Sequence, residues 1–221
     1  MVRGDSIVAN VATTRFGGFT DSDFDAMSVP GLEGRMEAII SQVRPKLHSI
    51  GESLAPVIAK LTGEEAFAHV AKHARRSVNP PDDTWVAWSP SARGYKAFPH
   101  FQIGLWSTHL FMQFAIIYEC PNKTAFAEKA RRELDSIRKS IPPSYIWSKD
   151  HMVPTGSVHA DLSEEELAEL FRRLGSVKAA ELTCGIHVRR GDPLLKDGDA
   201  LLRKAESVFD TLLPLYRMAQ A

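Results

Sequence analysis

Two runs of alternating residues, 100–106 and 109–118, face each other across Ser107-Thr108 and constrain the fold more than any other part of the chain. Successive side chains of a strand point to opposite faces, so Phe101, Ile103 and Leu105 share one face and His100, Gln102, Gly104 and Trp106 the other. A turn at Ser107-Thr108 sets Trp106 opposite His109 and Gln102 opposite Gln113. It also brings Leu105, Ile103 and Phe101 onto Leu110, Met112 and Phe114. Residues 181–189 repeat the division, with Leu182, Cys184, Ile186 and Val188 on one side and Thr183, Gly185, His187 and Arg189 on the other. One sheet face therefore buries apolar groups. The other collects His, Gln, Trp and Arg, an unusual set for a plain solvated face, and points to a ligand-facing concavity.

The rest of the chain fits helices onto such a sheet. Leu32, Met36, Ile39, Ile40 and Val43 recur at helical spacing, and Pro45 ends or restarts that helix. Leu47, Ile50, Leu54, Val57, Ile58 and Leu61 form a second stripe closed by Gly63. Residues 67–73, 85–88 and 145–147 read as further strands. Asn122 opens a helix carrying Phe126, Ala130, Ile137 and Ile141, stopped by Pro142-Pro143. Ser163 and Glu166 make a capping box before a helix that Gly175 ends. Residues 198–217 form a last helix, bent at Pro214. Strands and helices do not alternate strictly, so the expected class is α+β, a mainly antiparallel sheet with helices packed on one face. Residues 1–18 lack a period and end in Gly17-Gly18, which reads as a mobile leader before a single domain over 19–221.

Charge and cysteine content narrow the function. Lys and Arg number 27 against 27 Asp and Glu, a balance that disfavours a generic duplex-DNA or membrane-surface binder. Cys120 and Cys184 are too few for a zinc quartet or a disulfide framework and read as buried thiols. No apolar stretch has the length of a membrane span, and the N-terminus has no secretory h-region. A cytoplasmic protein follows.

The charge is nevertheless segregated. Between Ala68 and His109 the only acids are Asp82 and Asp83, against Lys72, Arg75, Arg76, Arg93, Lys96 and several histidines. Guanidinium forks and imidazoles gathered in one place bind phosphate or carboxylate through charge-assisted hydrogen bonds. The turn at Asn79-Pro80-Pro81 stiffens the loop, and the adjoining Trp85, Trp88 and Tyr95 suit a stacked base. The candidate ligand-binding residues are His69, Lys72, His73, Arg75, Arg76, Asn79, Trp85, Lys96, His100, Gln102 and Arg189. If the protein is an enzyme, a histidine is the expected proton donor or acceptor. His69 and His73, four apart, share a side of either a strand or a helix, but no acid stands at zinc-motif spacing, so no metal is expected. Neither a nucleophile elbow nor a glycine-rich phosphate loop is present, and no cofactor is specified.

The stretch HVAKHARRSVNPPDDTWVAWSPSARGYKAFPHFQIGLW, residues 69–106, resembles the hallmark of the YktB-like bacterial proteins, a family defined as a domain of unknown function. DFDAMSVPGLEGRM at 23–36 and Arg44-Pro45-Lys46-Leu47 fit the same family. The resemblance implies a fold similar to the catalytic core of class II aminoacyl-tRNA synthetases and biotin–protein ligases, which hold an adenylate on an antiparallel sheet. Lys72, Arg75, Arg76 and Trp85 look like the ligases' phosphate-closing loop, although its glycines and the ligase lysine strand are missing here. The leading expectation is binding of an anionic small molecule, a nucleotide or acyl-adenylate-like compound. An RNA- or ribosome-associated module using the same loop is the rival, and a scaffold with a vestigial site the third reading.

Overall fold

The computed structural model describes residues 16–220, so most of the expected leader lies outside the described residues. Its last residues are packed. Phe16 is buried in the core and meets Phe19 edge to face. Gly18 takes φ 103° with its Cα against the Leu195–Lys196 backbone, where a side chain has no room.

The helical first third runs α1 (Asp21–Asp25), α2 (Leu32–Ala38), a π turn (Ile39–Val43) and α3 (Arg44–Thr62). Pro45 restarts the helix. It occupies the first turn of α3, where a missing N–H costs least, directly after the π turn has broken the regular ladder. Gly63 closes α3 in the left-handed conformation at φ 78°, as the stripe predicts.

Then follow β1 (Phe67–Val70), β2 (Asp83–Ser89), β3 (His100–Trp106), β4 (His109–Ile116), α4 (Lys123–Arg132) and α5 (Leu134–Ser140). The chain ends with β5 (Ile146–Ser148), β6 (Ser157–Val158), α6 (Glu164–Ser176), β7 (Leu182–Arg189) and α7 (Gly198–Gln220). The strands form one seven-stranded sheet in the order β1-β2-β3-β4-β7-β5-β6, every pair antiparallel. This is an α+β protein.

The β3–β4 register is the one the alternation dictates: Leu105 pairs with Leu110, Ile103 with Met112, Gln102 with Gln113 and Phe101 with Phe114. A row of large side chains, Trp88, Phe101, Phe114 and Trp147, crosses the sheet on its apolar face, with Cys184 beside them. Each meets a helix there. Trp88 Nε1 donates to Gly51 O of α3 at 3.0 Å, and Phe101 stacks on Phe209 and Tyr216 of α7. Phe114 packs on Phe126 of α4, and Trp147 packs edge-on against Phe171 of α6. Burying an aromatic side chain of this kind is worth about 2–3 kcal/mol, so this face holds the helices in place. Cys120 and Cys184 are free and buried, as expected.

Several boundaries differ from the sequence reading; β4 ends at Ile116 and α7 runs to Gln220, and three other differences change the local structure. β1 stops at Val70, and His73 takes a left-handed φ of 52°, so His69 and His73 do not share a strand face. The helix after Asn122 is broken at Glu133 into α4 and α5. Gly175 lies inside α6, which continues to Ser176 behind the expected Ser163–Glu166 capping box.

One buried cation fixes the approach to β7. Lys123 of α4 is 8% exposed, and its Nζ donates to the carbonyls of Val177, Lys178 and Ala180 at 2.6, 2.8 and 3.2 Å. Removing it leaves three carbonyls without that donor. Lys123→Met is expected to cost about 1–3 kcal/mol, read as a lower urea midpoint with an unchanged m-value; an unshifted midpoint would contradict the assignment.

Candidate functional site

The face opposite the helices is also covered, by residues 148–156, the end of β5 and its link to β6. Between sheet and segment lies a cavity of about 30 Å³, room for about one water. The pairing explains its shape. Trp85, Gly104, Phe111 and His187 lie side by side across β2, β3, β4 and β7. Gly104 lets the Phe111 ring lie across the floor: a Cβ there would stand 2.3 Å from Phe111 Cζ and 2.7 Å from Trp85 Cβ. Asp83 and Trp106 close one end, and Gln102, Gln113 and Thr183 the other. From the covering segment, Asp150, His151 and Val153 face the same space.

A directed chain of hydrogen bonds runs beneath the cavity. Gln113 Nε2 donates to Gln102 Oε1 at 2.9 Å, and Gln102 Nε2 to His100 Nε2 at 3.0 Å. His100 Nδ1 donates to Phe98 O at 2.7 Å. That last bond fixes the tautomer and makes Nε2 the acceptor, which requires a neutral ring. Burial supplies it by lowering the His100 pKa to about 4. Both glutamines are thereby oriented, with Gln113 Oε1 left as an acceptor on the cavity side.

The cavity also alters its acid. Burial raises the Asp83 pKa to about 7, against the opposing pull of His151 and Arg76. Asp83 is 7% exposed and makes no ion pair among the described residues, its carboxyl bonding only to its own backbone N–H. At neutral pH its carboxyl can therefore either donate or accept. His187 stacks on His109 with ring centroids 3.9 Å apart, and burial lowers their pKa values to about 3 and about 4. His109 Nδ1 bonds Thr108 Oγ1 at 2.8 Å, while Nε2 is buried without a partner.

Of the residues nominated from sequence, Trp85 and Gln102 line the cavity and His100 stands behind Gln102. Trp85 Nε1 donates to Tyr95 Oη at 3.0 Å, and His73 meets the Trp85 ring edge-on. Arg76 and Arg44 stand near His73, and with burial they lower its pKa to about 4. His69 lies further along β1, its Nε2 2.8 Å from Ser91 O. Lys72, Arg75 and Asn79 are exposed on the loop between β1 and β2. Lys96 pairs with Glu119 at 3.0 Å, and Arg189 is exposed at the end of β7. Neither Lys96 nor Arg189 lines the cavity.

Sequence reasoning missed Asp83 as a cavity acid and the whole covering segment. It also missed Glu181, which accepts from both the backbone N and the ring Nδ1 of His151, at 2.8 and 2.5 Å. That bond raises the His151 pKa and ties the segment to the foot of β7. The signal that could have found the acid is the rarity of acids in 69–108, which leaves Asp82 and Asp83 as the local counter-charges. Asp82 is spent on Arg35 at 3.0 Å. Nothing periodic marks the covering segment.

No helix among the described residues is long and apolar enough to cross a membrane. A family model described as a domain of unknown function, DUF1054, matches residues 19–216. The chain is 47% identical over 202 residues to a UPF0637 protein of Bacillus licheniformis, covering 91% of this chain and 96% of the relative. It is 48% identical over 202 residues to one of Bacillus velezensis, with the same coverages. A third, from Bacillus cereus, is 47% identical over 200 residues, covering 90% of this chain and 96% of the relative.

Proposed function

We propose that this chain, which belongs to the DUF1054 family, is a cytoplasmic protein that binds an anionic small molecule, a nucleotide or acyl-adenylate-like compound, at the edge of the sheet-face cavity. One observation carries the reading: the loop between β1 and β2 holds cations that make no ion pair, and one of them, Arg76, stands within electrostatic reach of Asp83 on the cavity. Among the described residues, Lys72, Arg75 and Arg76 make no ion pair. Behind them Arg44 donates through Nη2 to Ala71 O and Lys72 O at 3.5 and 3.4 Å, with its Nε buried and unbonded. Cations held close together repel one another, and a bound phosphate or carboxylate relieves that repulsion. Trp85 and the oriented glutamines offer a flat apolar surface and amide groups for the rest of such a ligand. A mainly antiparallel sheet with one helix-covered face and one polar face also suits the proposed likeness to the class II synthetase and biotin ligase core. A ligand larger than one water needs the 148–156 segment to move, so binding and opening are coupled in this reading.

Calorimetric titration with adenine nucleotides tests it. Arg75→Glu, at an exposed position, and Arg76→Glu are each expected to weaken binding about 10- to 100-fold, the range of a charge-assisted hydrogen bond, with little change in melting temperature. Equal affinity in both variants, or no nucleotide binding at all, would reject it. Binding only of oligonucleotides, with affinity falling steeply with salt, would replace it by an RNA-binding reading.

A further inference from the structure

We propose that Asp150, His151 and Glu181 form a binding site for a divalent transition-metal ion of the zinc class, its open coordination position turned towards the cavity that Asp83 lines. One ligand atom from each of the three residues lies within 4.8 Å of the others. Zinc takes imidazole nitrogen and carboxylate oxygen at about 2.0–2.2 Å, which puts tetrahedral ligands about 3.4 Å apart. His151 Nδ1 and Glu181 Oε1 already approach to 2.5 Å, so small side-chain rotations complete the set. One imidazole with two carboxylates neutralises a dication and favours zinc, cobalt or manganese over calcium or magnesium, which prefer oxygen alone.

The supports differ in rigidity. Glu181 is buried and directly follows the Ala180 carbonyl that Lys123 holds. Asp150 and His151 come from the covering segment, where Asp150 Oδ1 also accepts from Met152 N at 2.8 Å. An ion here would replace the His151 ring bond to Glu181 in the fastening of that segment.

A second observation points to a ligand at this place. Asp83, 7% exposed and bonded only to its own backbone N–H among the described residues, lies on the small cavity that Asp150 and His151 also line. A carboxyl lining a space for about one water, beside the His151 imidazole and the Asp150 carboxylate, is placed to bond a metal-held water. On the other side the three ligands line a cleft of about 350 Å³ together with Lys149 and Arg173. An ion can enter there from solvent. The site uses none of the basic-loop cations, so it stands or falls independently of the anion reading.

The test uses the full chain stripped with a chelator and dialysed. Titration with zinc chloride should show one saturable equivalent of micromolar or tighter affinity, and cobalt(II) should give visible bands of a nitrogen- and oxygen-ligated ion. His151→Ala and Asp150→Asn should each weaken zinc binding by at least about tenfold. Asp150 is exposed, so its variant keeps the fold while removing a ligand. Absence of saturable binding, or binding that survives both substitutions unchanged, overturns the proposal.

Discussion

Lowering the pH from about 7 to about 4 is expected to remove most of the protein's stability. Burial lowers the pKa values of His73, His100 and His109 to about 4 and that of His187 to about 3, from 6.5. Between those values the unfolded chain takes up protons that the folded chain refuses, so stability rises with pH. The contribution is complete above about 6.5 and is lost as the pH falls towards about 4. One pKa unit is about 1.4 kcal/mol, so each fully buried ring carries on the order of 3 kcal/mol, and the half-buried His73 and His187 less. Several together rival a typical total of about 5–15 kcal/mol.

Two groups oppose the trend. Asp83, raised to about 7, contributes stability that is complete below its unfolded value and lost as the pH rises through about 7. His151, raised by its bond to Glu181, contributes stability that is complete below 6.5 and lost above it. Two opposing groups against four leave the slope positive. His109 and His187, stacked at 3.9 Å, titrate as a coupled pair. Melting temperatures recorded across this range should fall steeply below about pH 6. His187→Phe, which fills the same space without a charge, should flatten the fall by about one proton. A melting temperature unchanged down to about pH 4.5 would count against neutral buried rings.

Gly185→Ala is expected to have the largest effect of any single methyl group on the sheet. A Cβ at Gly185 would stand 2.0 Å from Met112 O and 2.6 Å from Gln113 Cα. Those are main-chain atoms of the neighbouring strand, so no rotamer relieves the contact. The β4–β7 ladder would have to part in the interior of the sheet, beneath the glutamine chain. The expected cost exceeds about 4 kcal/mol, in the range reserved for gross steric conflict, seen as insoluble expression or a collapse of the urea midpoint. A Gly185→Ala protein within about 1 kcal/mol of the parent would refute the close approach.

The alternation carried the sheet. Strand side chains repeat every two residues, so Phe101, Ile103 and Leu105 could lie against Leu110, Met112 and Phe114 in only one register, and the β3–β4 pairs follow it. The same rule placed Thr183, Gly185 and His187 on the polar face. What stayed hidden depends on contacts between distant segments. His73 reads as part of an alternating strand, yet the backbone turns left-handed there. Its four-residue spacing from His69 therefore loses its meaning. The 148–156 segment has neither period nor cap, and only the Glu181–His151 bond and the cavity beneath give it a role. The histidines were visible as residue types; their neutrality comes from burial, which no spacing encodes. The basic loop was legible as charge, but which of its cations meet acids is decided by residues far along the chain, as with Lys96 and Glu119.

The lengths of the outermost strands have a consequence for behaviour in concentrated solution. The sheet ends at β1, four residues long, and at β6, two residues long. Of the longest strands, β4 is paired along its length on both sides, while β7 meets β5 over Thr183–Gly185. A foreign strand can add to a sheet only where a row of N–H and C=O groups lies unclaimed. At the β6 end that row is barely one residue pair wide, and at the β1 end it is cut off by the turn through His73. The two outermost strands thus offer almost no template for growing into a fibre.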